Sequence, residues 1–323
     1  MTSNNYLINH RPYTYTLSLS SEFIFQNDKN YLFELANLGI LSIVGEGAQE
    51  FLQGQLTCDL RQVTINSMRQ GAQCNLKGRI LTLLDVIYWH HFQLILPSDL
   101  FSETQNSLTK TAMLSRVKIE PNHSCQIFGF YLNNPRDILP FDIELPAEQF
   151  SVKQTEEFVS YCLGDNLYIL VAKKEKAEAL VNPFRQTAQY RGSLAWHYLQ
   201  LSNKQLQIYP ETRGLFLPHR LDLHLSNHIS FEKGCYKGQE IIARTHYKAK
   251  LKHGLRLFTI ESKEPLFAGK KLFDLSGKKE VGELIDFCPL GNDHSLIAVS
   301  ILLEYPPQIR IEDQLNDLSL VTA

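Results

Sequence analysis

The apolar positions of the first hundred residues switch between strand and helix periodicity. Residues 39–44 form a short β-branched run, which predicts a strand. The apolar side chains of residues 46–56 recur at helical spacing behind an acidic first turn, so we predict a helix there. Residues 81–89 and 92–96 are two strand-like runs joined by a pair of histidines, which is typical of a hairpin. A helix is expected over residues 98–113, because serine and aspartate, two common N-cap residues, stand at its start.

A second cycle of strand and helix patterns follows. Residues 124–132 and 166–172 are strand-like, and the loop between them contains the proline-rich segment 133–146. Residues 173–187, rich in Lys, Glu and Ala, predict a helix, and residues 192–206 predict another from the spacing of their apolar side chains. The first two hundred residues therefore indicate two α/β cycles.

The pattern changes after residue 254. Short apolar runs alternate there with glycine-containing turns, which predicts a small all-β module of about 70 residues. The expected strands are residues 255–260, 281–287, 296–303 and 308–311.

Composition excludes several classes of protein. The chain has 323 residues, of which 44% are hydrophobic and 20% charged, so it can build real cores and is neither disordered nor collagen-like. Lys and Arg number 32 against 34 Asp and Glu, so no overall basic field favours non-specific nucleic-acid binding. The six cysteines show no CxxC pair, and we find neither a readable signal peptide nor an apolar run of about 20 residues. These features predict a cytoplasmic protein with reduced thiols.

The most unusual chemistry lies in residues 231–244. Cys235 stands two positions from Lys233 and from Lys237, and nearby cations favour a thiolate. Gly234 and Gly238 permit positive φ angles or a close approach of another backbone. Residues 239 and 240 would open a helix. Two interpretations stay open at this point, a reactive or ligand-facing thiol and a buried, inert cysteine in a glycine-rich turn.

The same segment carries a family resemblance. Residues 233–240 (KGCYKGQE) are similar to the K-G-C-Y-x-G-Q-E signature of the YgfZ proteins. These are folate-binding proteins linked to tRNA modification, and they are relatives of the glycine cleavage aminomethyltransferase. Residues 45–59 resemble the family's first helix with its G-Q-x-T-x-D ending, and residues 75–80 resemble its D-x-K-G-R/K segment. The resemblance extends over nearly the whole chain from about residue 35.

The resemblance implies an α+β fold of three domains around a central folate channel. Two ferredoxin-like domains and a small C-terminal β-barrel domain would enclose tetrahydrofolate or a derivative. We expect residues 1–115 together with 190–245 to form the discontinuous folate-binding domain. Residues 116–189 would form the second domain, and residues 246–323 the β-barrel-like one.

The resemblance also implies a site and a function. Trp196 would stack on the pterin, and Cys235 would be the functional thiol near it. The other expected folate-binding residues are Lys233, Gly234, Tyr236, Lys237, Gly238, Gln239, Glu240 and Arg244. The implied function is a cytoplasmic folate-binding accessory protein that supports tRNA modification and iron–sulfur enzymes, and these enzymes are its expected partners.

Three departures from the family bear on catalysis. Thr82 and Leu83 stand where aminomethyltransferases carry acids, which argues against aminomethyl transfer and against a classical enzyme. Residues 202–204 read Ser-Asn-Lys in place of the usual E-A-G. Leu38 replaces a tryptophan that some YgfZ proteins hold. A folate-dependent C1 transferase and a protein scaffold with a vestigial pocket remain the alternatives.

Two other patterns have competing interpretations. Residues 233–256 hold seven Lys or Arg and one acid, which indicates either a solvated face or a counter-charge for a polyglutamyl folate tail or RNA phosphates. His219, His224 and His228 could form a zinc site, but their spacing matches no known finger and favours histidines at the edge of the core. A Cys235–His–Asp hydrolase set fits no local signature.

Overall fold

The computed structural model of the chain describes residues 4–112 and 115–322. Its α-helices are α1 (Leu19–Glu22), α2 (Ala48–Gln55), α3 (Phe101–Ala112), α4 (Lys174–Gln186), α5 (Ser193–Ser202) and α6 (Gln239–Lys248). Strands of the first half are β1 (Asn4–Ile8), β2 (Arg11–Tyr15), β3 (Tyr31–Glu34), β4 (Leu38–Val44), β5 (Arg69–Cys74), β6 (Ile80–Trp89), β7 (His91–Pro97), β8 (Lys118–Pro121), β9 (Cys125–Tyr131) and β10 (Val152–Gln154). Those of the second half are β11 (Phe158–Gly164), β12 (Leu167–Lys173), β13 (Tyr190–Arg191), β14 (His253–Glu261), β15 (Lys271–Phe273), β16 (Glu280–Gly291), β17 (His294–Leu302), β18 (Gln308–Ile311), β19 (Asp317–Ser319) and β20 (Val321–Thr322).

The first sheet is antiparallel and has the strand order β5-β6-β7-β4-β8. Without β5, this is the order of a split β-α-β unit, the ferredoxin-like arrangement, with α2 after β4 and α3 after β7. Both helices bury apolar side chains on one face of the sheet. Phe51 and Leu52 of α2 and Leu108 of α3 pack with Leu41 and Leu94.

The second sheet is mixed, with the order β10-β11-β12-β9-β3-β13. It takes β3 from before the first sheet, and β13 pairs with β3 in parallel after the crossover through α4. Helix α4 covers one face of this sheet. The other face meets the first sheet, since Ile87 and Ile95 share a core with Val159, Tyr161 and Ile169.

The C-terminal sheet has seven antiparallel strands in the order β19-β18-β15-β16-β17-β14-β20. It curls into a half-barrel, and strand β19, at one end of this order, comes close to β14 near the other end. Its inner face forms one core with the chain that follows α5, including Ile208 and Phe216. The expected all-β tail is thus confirmed.

A buried polar network joins the N-terminal hairpin β1–β2 to the first and third sheets. Arg11, only 2% exposed, donates two hydrogen bonds of 2.8 Å to the carboxylate of Asp99 and one of 2.6 Å to the carbonyl oxygen of Ile208. The guanidinium also lies 4.3 Å from the ring centre of Tyr209. The hydroxyl of Tyr209 donates to Asp286 of β16 at 2.6 Å.

Most expected elements of the first two cycles are present. The expected helix at 192–206 ends earlier, at Ser202, because Lys204 takes a positive φ of 57°. The first turn of the expected 98–113 helix is a 3₁₀ turn that leads into α3, and residue 113 lies outside the described residues. Among the described residues, no helix combines the length and apolar character that crossing a membrane requires.

Candidate functional site

A narrow cleft lies where the first two sheets meet the chain that leaves α5. We call it the central cleft, and it encloses about 50 Å³. Eight of its lining residues are apolar, and six polar ones converge from β5, β6, α5 and the segments that follow α5. It is lined by Leu38, Gln70, Leu83, Leu84, Asp85, Ile95, Leu96, Pro97, Ile169, Gln200, Gln205, Leu206, Gln207 and His228.

Asp85 is the carboxylate of this cleft. It lies on β6, and alternation along the strand places it on the same face as Leu83. The hydroxyl of Tyr161 donates to one carboxylate oxygen at 2.8 Å, and the Gln70 amide donates to the other at 3.1 Å. Burial raises the pKa of Asp85 to about 6, although both hydrogen bonds favour the charged form.

Sequence reasoning missed Asp85. The expected loss of acids at Thr82 and Leu83 is correct for those two positions, and Thr82 is buried with its hydroxyl bonded to the Leu83 carbonyl. A carboxylate nevertheless stands two positions further along the same strand face. The signal was a charged residue inside an otherwise apolar strand, since such a residue needs partners when it is buried.

His228 closes another side of the cleft as a neutral imidazole. It is 7% exposed, and burial lowers its pKa to about 4. Its Nδ1 lies 3.0 Å from the Ser226 hydroxyl, and its carbonyl accepts a hydrogen bond of 2.6 Å from Thr57. The segment that leads into the signature loop is therefore anchored to the chain that follows α2.

Lys233 fixes the signature loop, residues 233–240, to the chain after α2. Its ammonium group donates hydrogen bonds of 2.7 Å to the carbonyl oxygens of Leu56 and Cys58. The side chain is 4% exposed, and desolvation lowers its pKa to about 8. Its positive charge favours the thiolate of Cys58 and so opposes the larger rise in the pKa of that thiol that burial causes. Lys233 thus has a structural role beside any role toward a ligand.

Two glycines bring the signature loop against the 75–79 turn. Gly238 precedes α6 with φ 85°, and a Cβ added there would lie 2.5 Å from the Asn75 carbonyl oxygen and 2.9 Å from the Cα of Gly78. The expectation of a close backbone approach at Gly238 is therefore confirmed. No such close approach exists at Gly234, where an added Cβ would meet nothing within 4 Å among the described residues. Gln239 accepts a hydrogen bond from the Tyr236 amide at 3.1 Å and so closes the turn.

Cys235 is the exposed cysteine of the described chain. Cys58, Cys74, Cys162 and Cys288 are buried, and Cys125 is half-buried. This location fits the surface-loop interpretation of Cys235 and differs from that of a buried, inert thiol. Neighbouring Tyr236 is 6% exposed and packs in the core below the loop.

Trp196 lies in the core between α5 and the second sheet. It is 2% exposed, and its ring packs on Phe33 with a centroid distance of 5.4 Å. A Cβ added at Gly129 would lie 2.5 Å from the indole, so that face is covered by backbone. Its Nε1 has no hydrogen-bond partner among residues 4–112 and 115–322. The expected stacking of a ligand on Trp196 stays a prediction.

The expected site residues fall into separate places. Trp196 lies in the core, Lys233 and Tyr236 lie beneath the loop, and Glu240 and Arg244 are exposed on α6. None of the signature-loop residues lines the central cleft. The loop and the cleft are connected through the chain that follows α2, by the bonds of Thr57 and Lys233.

A basic surface lies around α6. Its exposed cations come from the 75–79 turn, which adjoins α6 through Gly78, and from the helix and its C-terminal extension. Within the described ranges none of them forms a salt bridge. They are Lys77, Arg79, Arg244, Lys248, Lys250 and Lys252.

The histidines group differently from the zinc alternative. His228 lies in the cleft, whereas His246 of α6 joins His219 and His224, with ring centroids 5.8 Å and 6.1 Å away. Burial and the two neighbouring imidazoles lower the pKa of His219 to about 4. Over the part of the chain that the structure describes, no group of three or more His, Cys, Asp or Glu is arranged to hold a metal ion.

Comparison with known proteins relates this geometry to a family. No protein-family model matches the sequence. The chain is 27% identical over 256 residues to the tRNA-modifying protein YgfZ of Colwellia psychrerythraea, which covers 78% of each chain. It is 27% identical over 291 residues to the protein of the same name from Photobacterium profundum, which covers 88% of this chain and 87% of that one. The resemblance expected from the signature is confirmed.

The fold has a solved counterpart. The structure matches the crystal structure of glycine cleavage system aminomethyltransferase T from Bartonella henselae with a TM-score of 0.77. The match covers 99% of this chain and 92% of that one, at 15% sequence identity. The α+β fold is therefore that of the aminomethyltransferases.

Proposed function

We propose that this protein binds tetrahydrofolate or a derivative and takes part in tRNA modification. The observation that carries the proposal is the similarity to proteins named tRNA-modifying protein YgfZ along 78% and 88% of the chain. The aminomethyltransferase fold supports it, because the family resemblance of the sequence implies that a fold of this kind holds a folate. Fold alone would leave the function open.

The central cleft is the proposed folate site. It combines apolar side chains with converging polar groups, as ligand sites do. The volume of the cleft, about 50 Å³, is smaller than that of a pterin ring. Binding must therefore displace lining side chains such as Gln200, Gln205 and Gln207. The central channel and the division into three domains are proposed together with this site.

Aminomethyl transfer is the second candidate. Thr82 and Leu83 offer no acid, but Asp85, with its raised pKa near 6, is a carboxyl group that could exchange protons in the cleft. Its partners Tyr161 and Gln70 hold it in place, which suits binding better than proton transfer. Production of methylenetetrahydrofolate from the aminomethylated carrier protein would favour this second function.

The signature loop and the basic surface are the proposed contacts with partners. Cys235 is exposed on the loop, and Lys77, Arg79, Arg244 and Lys248 extend from it as a predominantly basic surface in which Glu240 is an exposed acid. Such a surface suits RNA phosphates or the glutamate tail of a folate. Support of iron–sulfur enzymes and a cytoplasmic location belong to the same proposal.

A fluorescence titration tests the proposal. Trp89 and Trp196 are both buried, so Trp89→Phe leaves Trp196 as a single reporter close to the second sheet. We expect tetrahydrofolate to change the emission of this variant saturably, with one site per chain. A protein that shows no saturable change with millimolar tetrahydrofolate, by fluorescence and by calorimetry, would instead be a scaffold with a vestigial pocket.

A further inference from the structure

The last turn of α6 presents an aromatic ring to solvent in a fixed orientation. Tyr247 is 69% exposed, more than any other Phe, Tyr or Trp of the described residues. Beside it, His246 stacks on Phe231 with a centroid distance of 3.9 Å and an angle of 21° between the planes. The Tyr247 ring stands nearly perpendicular to His246 at 4.8 Å, and its centroid lies 6.1 Å from that of Phe231. Two packed rings therefore hold a third, whose free surface is flat and apolar.

Cations flank this ring on the same face of the helix. Tyr247 and Lys248 follow Arg244 by three and four positions, so the three exposed side chains are neighbours on the helix surface. Exposed Lys250 and Lys252 continue the charge beyond the end of α6. Within the described ranges none of these four cations forms a salt bridge, so their charge is available to a partner.

The charge around the ring selects an anionic partner. Residues 241–256 contain five Lys or Arg and no acid. Two exposed acids border this region, Glu232 before the signature loop and Glu240 in the first turn of α6. The surface is therefore predominantly basic, and its excess of positive charge lies toward the C-terminal end of the helix, beside Tyr247.

The ring decides among the anionic partners. A glutamate tail or an acidic peptide brings carboxylates for the cations and has no need of an exposed aromatic ring. An unpaired nucleotide brings both a phosphate and the flat face of a base. Proteins that bind single strands combine cations along the backbone with aromatic rings on which bases stack. In a duplex the bases are paired and stacked on each other, so they cannot reach such a ring.

We propose that this end of α6 binds an unpaired segment of RNA, such as the loop of a tRNA. One base would stack on Tyr247, and the neighbouring phosphates would lie on Arg244, Lys248 and Lys250. This inference rests on the proposed function, since a part in tRNA modification makes RNA the expected single strand. None of these residues lines the central cleft, so RNA and folate would occupy different places on the protein.

Fluorescence anisotropy with a labelled single-stranded RNA of about 12 nucleotides, and with the duplex of the same sequence, provides the test. We expect the wild-type protein to bind the single strand more tightly than the duplex. Tyr247→Ala should weaken single-strand binding about tenfold, because one stacked base is lost, and should change duplex binding by about twofold or less. Tyr247→Phe keeps the ring and should restore single-strand binding.

Leu225→Ala is the matched control for the loss of an exposed apolar side chain. Leu225 is 73% exposed and follows His224, whose ring lies 6.1 Å from that of His246, but it offers no flat ring. It should bind both RNAs as the wild type does. Circular dichroism checks that each variant is folded.

A second pair of variants tests the cations. Lys248→Gln should weaken the binding of both RNAs and reduce the slope of log affinity against log salt by about 0.7 for the single strand. Lys110→Gln makes the same change on α3, where Lys110 is exposed and has no salt bridge within the described ranges, and should alter neither quantity.

The outcomes separate this inference from the proposed function. Absence of saturable single-strand binding, or wild-type affinity in Tyr247→Ala, would overturn the inference, and saturable tetrahydrofolate binding by the same samples would leave the folate proposal standing. Displacement of the RNA by polyglutamate as effective as displacement by unlabelled RNA of equal charge would assign the surface to acidic partners and overturn the inference. Tighter binding of the DNA strand of the same sequence would overturn the assignment to RNA. Single-strand binding that depends on Tyr247, in a protein that does not bind tetrahydrofolate, would support the inference and overturn the folate proposal.

Discussion

At the residue scale, the chemistry depends on which charged groups are buried and what they face. Asp85 and Lys233 are both held by hydrogen bonds, but Asp85 borders the cleft, whereas Lys233 donates to two backbone carbonyls and lies over the ring of Tyr236. Sequence motifs identified Lys233, because the signature contains it. They did not identify Asp85, because a single acid in an apolar strand belongs to no motif.

Asp85 should make stability depend on pH. Its folded pKa of about 6 lies above the ordinary carboxyl value of about 3.9, so folding favours its protonated form. This contribution is fully present below about pH 4 and is lost as the pH rises through 6. Asp85→Asn should therefore be more stable than wild type at pH 8, by about 1–2 kcal/mol because Asp85 borders the open cleft, and the difference should vanish near pH 4.

Urea unfolding of both proteins at pH 8 and at pH 4.5 measures this difference. The lowered pKa values of His219 and His228 affect both proteins equally and cancel. If Asp85→Asn had a lower free energy of unfolding than the wild type at pH 8, and the two proteins were equally stable at pH 4.5, the Asp85 charge would be well accommodated in the folded protein.

Cys235 should be the first cysteine to react. It is exposed, whereas burial raises the pKa of Cys58 to about 11 and that of Cys74 to about 12. Limiting iodoacetamide at pH 7, mapped by mass spectrometry, should label Cys235 before half-buried Cys125 and before the buried thiols. Cys235→Ser should keep the fold but fail to rescue the growth of a strain that lacks the native protein. Equal labelling of Cys125 together with full rescue would make Cys235 an ordinary surface residue.

At the element scale, the sequence was informative where periodicity was strong. The predicted α4 and the long C-terminal strands β16 and β17 are present, because their patterns repeat over many residues. The strands β1 and β5 were missed although each pairs with the next strand along the chain, because polar residues interrupt the apolar pattern of both segments. The order of the sheets depends instead on pairings between strands that are distant along the chain, such as β3 with β9 and with β13, which no local pattern contains.

The signature glycines should differ sharply in their tolerance of a side chain. Gly238→Ala forces a Cβ toward the Asn75 carbonyl and Gly78 at a φ of 85°, so we expect a loss of about 2 kcal/mol or more in unfolding free energy. Gly234→Ala meets nothing within 4 Å and should change it by about 0.5 kcal/mol or less. Urea unfolding compares the two. Equal effects would show that the contact between the loop and the 75–79 turn contributes little.

At the scale of the whole molecule, buried polar groups connect parts that are distant in sequence. Arg11 joins the N-terminal hairpin to Asp99 and to the chain beside the third sheet. No sequence pattern indicated this, because Arg11 precedes the region of family resemblance and its partners lie 88 and 197 residues away. The network holds the segment around Gln207, which also lines the central cleft.

Removing Arg11 should therefore destabilise the whole fold. Arg11→Met leaves Asp99 and the Ile208 carbonyl without their donor, and loss of one partner of a buried pair costs about 3–5 kcal/mol, an upper value here because Asp99 is 26% exposed. Arg310→Met is the control, because Arg310 makes two hydrogen bonds to Asp317 at the surface, where such pairs contribute about 1 kcal/mol or less. Thermal unfolding distinguishes them. Similar melting temperatures for both variants would contradict a connecting role for Arg11.

The central claim is that tetrahydrofolate binds in the central cleft, and calorimetric titration of a cleft-filling variant tests it most directly. Leu83 lines the cleft beside Asp85, so Leu83→Trp should occupy the space of the ligand. The wild-type protein should bind one tetrahydrofolate with a dissociation constant below about 1 mM, and folded Leu83→Trp should bind it about tenfold or more weakly. Equal affinity in the two proteins would place the ligand elsewhere and contradict the account.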